Sequence, residues 1–299
     1  MGNRRLGNKR LEAAMDNFFG SATMNGINGS PFVLKDPDRY YVEEFFADGL
    51  PQLNGTIDAK YDVEAGRLAS RTVELTGDNA ADGYVTRATT GAGINLAAST
   101  NGHAAIVTGH QDASAAALGL TKWGSETQVE FETLIRTQAD IDELTFAAGW
   151  KLAANIANAA VFNFATDNDS CYFAYGSTDD DTGVLADNTA LYFISNHGAG
   201  NDVRVKLPIT VAANTSYRLG ITVDSARKVS AWVNGVQYSL KGTATAGEYT
   251  STGAGAELSA ALSNDIDFLP MVGVQIQAGN ARGIQCSYMK CSRLAFDNA

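Results

Sequence analysis

The chain has 299 residues, of which 45% are hydrophobic, and a formal net charge of −11. This length provides enough apolar material for a buried core, and no apolar run approaches the ~20 residues of a membrane-spanning helix. An acidic chain fits poorly with nucleic acid as its main ligand, because neutralising phosphates requires basic surface. Composition divides the chain into a basic arm (1–20), a loop-rich segment with short strands (21–120) and a strand-rich region (121–299).

The arm is first basic and then amphipathic. Four cations and no acid precede Glu12, namely Arg4, Arg5, Lys9 and Arg10. The apolar residues that follow have helical spacing, and they are Leu11, Met15, Phe18 and Phe19. Cations in the first turn of a helix oppose its macrodipole, which suggests that these charges serve a partner. We expect an extended, partly helical arm that binds another protein; the alternative is a frayed, solvated terminus.

The segment between the arm and the strand-rich region has weaker patterns. Residues 21–58 are rich in Gly, Asn and Ser, which predicts loop. Short strand candidates follow at 71–75, 83–89 and 104–109. We expect this segment to pack on the main body of the protein.

Alternating apolar and polar residues dominate the rest of the chain. The run 128-QVEFETLIR begins a series of predicted strands that continues at 145–152, 159–165, 171–176, 190–195, 202–207, 216–223, 229–233, 270–278 and 284–296. Asn234-Gly235 is typical of a type I′ hairpin turn. Many short strands with hardly a helix predict an all-β sandwich or barrel.

The three cysteines, Cys171, Cys286 and Cys291, are predicted to be free thiols. An odd number without paired spacing argues against a disulfide framework and favours synthesis in a reducing compartment. Cys286 and Cys291 are five residues apart, so one regular strand would place them on opposite faces.

The order of the strands resembles a known family. An EFETLIR-like strand comes first, YRLGITVDSARKVSAWVNGV follows, and a final pair has P-x-VGVQ before SYMKCSRLAF. This order is similar to the concanavalin A-like lectin/glucanase superfamily over residues 120–299, which implies an antiparallel jelly-roll β-sandwich. The opening MGNRRLGNKRL resembles the N-termini of small structural proteins of tailed bacteriophages. Together the two resemblances imply a capsid decoration or cement protein.

A catalytic site is not expected. Glucanases of the superfamily use a strand motif Glu-x-Asp-x-(x)-Glu, and its carboxylates point into a cleft. Glu130 and Glu132 share a face here but lack the intervening Asp and the third acid. The other acidic cluster, Asp140, Asp142 and Glu143, falls in a predicted loop. His103, His110 and His197 lack metal-ligand spacing.

No cofactor is expected either, although Ca²⁺ binding by the acidic loops is an alternative. Oxygen ligands are dense in these loops, at Asp167, Asn168, Asp169, Asp179, Asp180, Asp181, Asp187 and Asn188. Members of the resembled superfamily bind Ca²⁺. The spacing is not that of an EF-hand, and we expect solvated loops.

Three aromatic residues are candidates for contact with a glycan. Trp232 lies on the polar face of its predicted strand, and Tyr172 and Tyr192 alternate away from their phenylalanine neighbours. Exposed rings would stack on sugars, whereas burial in a second sheet interface is the alternative.

These patterns predict a non-enzymatic virion structural protein, made in the host cytoplasm and located on the capsid surface. The arm would bind the major capsid protein lattice through Arg4, Arg5, Lys9, Arg10, Leu11, Met15, Phe18 and Phe19. Self-association as a homo-oligomer is a further expectation, and a membrane partner is not expected. The alternatives are a lectin-like module that binds host-surface glycans and a degenerate polysaccharide hydrolase.

Overall fold

The structure is a computed structural model that describes residues 39–44, 46, 73–77, 83–88, 91–98, 104–109, 111–112, 115–118, 121–152, 170–177, 185–196, 203–240, 242–245, 248–255, 261–264, 266–276 and 282–295. In chain order the strands within these ranges are β1 (Arg39–Glu44), β2 (Val73–Gly77), β3 (Gly83–Arg87), β4 (Ile94–Ala98), β5 (Ala104–Gly109), β6 (Gln111–Asp112), β7 (Ala115–Leu118), β8 (Thr121–Lys122), β9 (Glu130–Thr137), β10 (Leu144–Leu152), β11 (Ser170–Gly176), β12 (Ala190–Asn196), β13 (Val203–Thr210), β14 (Ser216–Val223), β15 (Val229–Val233), β16 (Val236–Tyr238), β17 (Gly242–Thr245), β18 (Glu248–Ser251), β19 (Phe268–Ile276) and β20 (Arg282–Leu294). A single turn of 3-10 helix covers Ser125–Thr127. None of the helical structure in these ranges is long and apolar enough to cross a membrane.

Two sheets form the body of the protein. The front sheet has eight strands in the order β16-β15-β14-β9-β20-β4-β3, with β1 paired to the C-terminal half of β20. The back sheet has nine strands in the order β17-β18-β13-β12-β11-β10-β19-β5-β2. All described pairings within the two sheets are antiparallel except that of β13 with β18. The prediction of an antiparallel all-β sandwich is confirmed.

The alternation of β9 and β14 explains how the front sheet buries one face. Phe131 and Ile135 of β9 and Leu219 and Ile221 of β14 point into the core shared with the back sheet. An aromatic centre forms around Trp150 of β10, whose ring centroid lies 5.6 Å from that of Trp123. Because both rings are fully buried, this centre joins the two layers.

The central strands of the back sheet are buried on both faces. Its outer face carries a second apolar cluster made of Ala147, Tyr172, Ala174, Leu185, Ala190, Tyr192, Ile194, Leu269 and Met271. Strands β11, β12 and β19 are buried at every position, so they lack the solvated face of an ordinary sandwich strand. Two candidate glycan-contact residues, Tyr172 and Tyr192, are therefore buried on the outer face of this sheet.

The hairpin prediction at Asn234-Gly235 is confirmed. Both residues have positive φ, 50° and 90°, and they connect β15 to β16. A type I′ turn requires this backbone conformation, which Asn and Gly adopt at low cost.

The loop prediction for residues 21–58 is wrong at residues 39–44, which form β1 against β20. The run RYYVEE has little apolar content, but Val42 points into the core and Arg39 pairs with a front-sheet carboxylate. Pairing with β20 therefore stabilises a strand that the local sequence does not predict. The predicted helical arm and the predicted strand at 159–165 lie outside the described residues.

The two cysteines of β20 share a face, contrary to the spacing argument. The register of β20 against β9 shifts between Cys286 and Tyr288, so Ser287 is an extra residue in the strand. Such a bulge reverses the alternation beyond it, and Cys286 and Cys291 both point into the core. All three cysteines are free and buried.

We expect these thiols to resist alkylation at mildly alkaline pH. Burial raises the pKa of the Cys286 thiol to about 12 and that of the other two further above the usual range, so the reactive thiolate is scarce. A maleimide or iodoacetamide assay should label no thiol in the native protein and three in urea. Rapid labelling of Cys171, Cys286 or Cys291 without denaturant would contradict the burial described here.

Candidate binding pocket

The outer face of the front sheet is polar. Glu130, Glu132 and Arg136 alternate outward along β9, opposite the buried residues of the same strand. The neighbouring strands place further polar side chains beside them in rows across the sheet. One part of this face forms a network of ion pairs and hydrogen bonds, and another part forms an open pocket.

The network engages both glutamates of β9. Ser292 Oγ donates to Glu130 Oε2 at 2.6 Å, and the Arg39 guanidinium lies 3.4 Å from the same oxygen. Tyr288 Oη donates to Glu132 Oε1 at 2.8 Å. Burial, followed by the nearby Glu132 carboxylate, raises the pKa of the Tyr288 phenol, so it remains a proton donor. The network thus ties β1, β20 and β9 together.

The front pocket opens where β9 ends. Its volume is about 200 Å³, and it is lined by Asn95, Arg136, Thr137, Gln138, Ala139, Asn214 and Gln285. Strand pairing places three of these side chains in one row, because Asn95 lies opposite Gln285 and Gln285 lies opposite Arg136. The β9–β10 loop and the β13–β14 turn complete the pocket.

Thr137 fixes the loop and the turn to each other. Its hydroxyl donates to Ala212 O at 2.6 Å and accepts from Thr215 N at 3.0 Å. Asn214, with φ of 53°, donates its backbone N–H to Gln138 O at 3.0 Å. The left-handed conformation is one that Asn tolerates well, so this residue suits the turn. Two lining segments are therefore held in a fixed relation.

The β3–β4 hairpin positions Gln285. Gln285 Nε2 donates to Ala92 O at 2.8 Å, next to Gly93. Gly93 has φ of 110°, and a Cβ built there would lie 2.1 Å from Cys286 O. Only glycine allows the hairpin to approach the bulge of β20 this closely.

Arg282 anchors the far side of the β9–β10 loop. Its guanidinium lies 3.0 Å from Asp140 Oδ2 and 3.2 Å from Glu143 Oε2. The hydrogen bond from Arg282 and a second from the Asp142 backbone N–H lower the pKa of Asp140. The loop acids therefore serve to hold the loop in place.

The pocket lining can recognise a neutral or anionic polar ligand. Asn95, Gln138, Asn214 and Gln285 carry amides, each of which contains donors and an acceptor. Arg136 is exposed and supplies a planar set of donors. Residues with this chemistry recognise hydroxyl and carboxylate groups rather than apolar surface.

The predicted glycan-contact residues lie elsewhere. Tyr172 and Tyr192 are fully buried in the second apolar cluster, which confirms the alternative of burial and removes both rings from glycan contact. Their alternation away from Phe173 and Phe193 was predicted correctly, but both faces of β11 and β12 are covered. Trp232 does lie on the polar face of the front sheet, half-buried beside Gly220, and it does not line the front pocket.

The predicted acidic sites also separate in space. Glu130 and Glu132 belong to the network, whereas Asp140 and Glu143 bind Arg282 and Asp142 lies in the same loop. Glu130, Glu132, Asp140 and Glu143 therefore each have a partner within the protein. The predicted arm contacts, Arg4, Arg5, Lys9, Arg10, Leu11, Met15, Phe18 and Phe19, lie outside the described residues.

Two members of the proposed Ca²⁺ loops are described, and both bind protein groups. Asp187 forms an ion pair with Lys206, and Asn188 Nδ2 donates to Ser177 O at 2.9 Å. Among the residues that the structure describes, no cluster of three or more His, Cys, Asp or Glu could hold a metal ion. Asp167, Asn168, Asp169, Asp179, Asp180 and Asp181 lie outside that set.

The Asp187–Lys206 pair predicts a pH-dependent contribution to stability. Hydrogen bonds from Lys206 and then Thr189 lower the pKa of Asp187 to about 2, from an ordinary value of about 3.9. A lowered folded-state pKa stabilises the protein above the ordinary value, and this contribution is lost as pH falls toward the folded value. In urea unfolding, Asp187→Asn should be less stable than the parent near pH 6. The difference in unfolding free energy between the two should shrink as the pH falls toward about 2. A difference in unfolding free energy that does not change with pH would contradict this role.

The pocket residues were missed in the sequence because they come from four distant segments. Asn95, Gln138, Asn214 and Gln285 match no motif, and only strand pairing brings them together. The available signal was the cation near the end of β9, Arg136, with Gln138 two residues later.

No family model matches this chain, and no curated protein matches it. Among solved structures, a protein of unknown function from Shewanella oneidensis MR-1 is similar, with 10% identity, a TM-score of 0.44 and coverage of 92% of this chain and 93% of that chain. The Bacteroides ovatus mixed linkage glucan GH16 structure, in complex with a G4G4G3G product, has 8% identity, a TM-score of 0.46 and coverage of 79% and 99%. Peanut lectin has 10% identity, a TM-score of 0.42 and coverage of 85% and 97%.

Proposed function

We propose that this chain is a non-enzymatic glycan-binding protein and that the front pocket is its binding site. The observation that carries the proposal is the lining of the pocket, where four amide side chains surround one exposed guanidinium. Each sugar hydroxyl both donates and accepts a hydrogen bond, and side-chain amides offer both functions. A pocket of about 200 Å³ is below the usual size for drug-like ligands and suits one sugar ring.

The non-enzymatic part of the proposal is supported by the state of the carboxylates. Glycoside hydrolysis needs a protonated acid and a second carboxylate that is free to act as nucleophile or base. Glu130 is held by Ser292 and Arg39, and Glu132 accepts from Tyr288. Neither glutamate lines the front pocket.

A glycan array tests this proposal. The parent protein should bind a subset of immobilised plant and microbial oligosaccharides, and an Asn95→Ala/Gln138→Ala variant should lose that binding. Ser216→Ala is the matched control, because Ser216 is an exposed residue beside Arg136 that does not line the pocket. Equal binding by the parent and the pocket variant would exclude this site. Release of reducing sugar from a bound oligosaccharide would overturn the non-enzymatic assignment.

We also propose that the arm attaches the protein to the capsid of a tailed phage. This proposal rests on the sequence of residues 1–20, where a basic cluster precedes an apolar stripe in an otherwise acidic chain. A protein that binds only the assembled lattice would stabilise it by mass action. Cosedimentation with tailed-phage capsids should be lost after Phe18→Ala/Phe19→Ala, because on this proposal the apolar stripe would supply most of the area buried against the capsid. Unchanged cosedimentation of this variant would refute attachment through the arm.

A further inference from the structure

Two guanidiniums on the outer face of the front sheet have no acidic partner among the residues that the structure describes. Arg136 lies on β9, and Arg218 lies on the adjacent strand β14, opposite Leu134 and one row along the same face. In the part of the chain that the structure describes, neither forms an ion pair, whereas Arg39 and Arg282 on the same sheet each do. Arg136 is exposed, and Arg218 is half-buried.

Two acidic residues of the loop that lines the front pocket form ion pairs with Arg282 and not with Arg136. Asp140 and Glu143 are in the same loop as the lining residue Gln138, and both are bound by Arg282. Arg282 therefore engages two of the three loop carboxylates, and Arg136 is the one charged residue among those that line the pocket. The pocket combines a local positive charge with amide groups.

We propose that the ligand of the front pocket is an acidic glycan, whose carboxylate binds Arg136 while its hydroxyls bind the surrounding amides. This inference rests on the proposed glycan-binding function and names its ligand class. A guanidinium forms two parallel hydrogen bonds with a carboxylate, which gives both strength and orientation. Asn95 and Gln285 stand in the same row as Arg136, so they meet the sugar ring that carries the carboxylate. Arg218 adds positive potential beside the site.

An acidic glycan fits better than a nucleic acid, which is also anionic. Single-stranded nucleic acids bind through aromatic platforms and a groove of cations along the backbone. The residues that line the front pocket include no aromatic ring and one cation. The net charge of −11 would also repel a polyphosphate more strongly than a sugar with isolated carboxylates.

The test is titration calorimetry with uronic-acid oligosaccharides built on glucuronate, galacturonate or mannuronate, each paired with its neutral methyl ester. The parent should bind at least one acid roughly 10- to 100-fold more tightly than its ester, because a hydrogen bond to a charged group is worth more than a neutral one. Arg136→Gln keeps a polar side chain but removes the charge, and it should abolish this preference. Lys206→Gln is the charge-matched control on the back sheet and should keep the preference. Added salt should weaken binding of the acid and not of the ester.

The outcomes separate this inference from the function on which it rests. Binding of acids and esters with equal affinity would overturn the acidic preference and leave glycan binding in place. A preference that survives Arg136→Gln would overturn the assigned role of this residue. Tighter binding of a single-stranded oligonucleotide of equal charge would overturn the ligand class. If no oligosaccharide binds, the glycan-binding proposal fails as well.

Discussion

Replacing Trp150 with alanine is expected to destabilise the protein by roughly 3–5 kcal/mol, because the substitution leaves a large cavity in the core. Trp150 is fully buried, and its ring centroid lies 5.6 Å from Trp123, 5.9 Å from Phe131 and 6.2 Å from Phe268. These partners come from both sheets and from the segment before β9, so they cannot move together to fill the cavity. Since domains are stable by about 5–15 kcal/mol in total, a large part of the stability should be lost.

Urea denaturation measures this effect, and Trp232→Ala is its matched control. Trp232 lies half-buried on the outer face of the front sheet, so the same deletion there should cost clearly less. Equal losses at Trp150 and Trp232 would contradict the assignment of the core.

Replacing Gly93 with alanine is expected to cost roughly 2–6 kcal/mol, and it should also impair the front pocket. The φ of 110° strains any residue with a Cβ by about 1–3 kcal/mol. The new Cβ would in addition meet Cys286 O at 2.1 Å and Ser287 Cα at 2.6 Å. Both are backbone atoms of the β20 bulge, so relief requires the strand to move, at roughly 1–3 kcal/mol more.

Gly253 provides a matched control for the steric part of this cost. Its φ of 106° is nearly the same, but a Cβ built there has no neighbour within 4 Å. Gly253→Ala should therefore lose stability through the conformational strain alone. Because the Gly93 hairpin supplies the carbonyl that holds Gln285, only Gly93→Ala should also weaken ligand binding. Similar losses for the two variants would contradict the close approach of the hairpin to β20.

The strands were predictable because their residues alternate between a buried and a solvated face. This holds for most of β9 and β14, whose outward residues are mainly polar and whose inward residues are mainly apolar, although Leu134 of β9 faces outward and Thr133 inward. It holds less well for the back sheet, where the outer face is apolar and buried too. There the sequence placed Tyr172 and Tyr192 on the correct face but could not show that this face is covered.

Features that depend on pairing between distant segments were not predictable. The bulge at Ser287 is invisible in the local pattern, and it moves Cys291 to the same face as Cys286. The strand β1 forms because β20 offers it an edge. The front pocket is the clearest case, because Asn95 and Gln285 are 190 residues apart and meet only through the pairing of β4 with β20.

NMR of the labelled protein can show whether the front pocket binds glycans without cleaving them. The probe is a uronic-acid oligosaccharide that the calorimetry shows to bind. We expect shifts of the side-chain amide signals of Asn95, Gln138, Asn214 and Gln285, with the signals of the oligosaccharide showing no cleavage over time. Shifts confined to the back sheet or to residues 1–20, or the appearance of shorter sugars during the titration, would contradict this expectation.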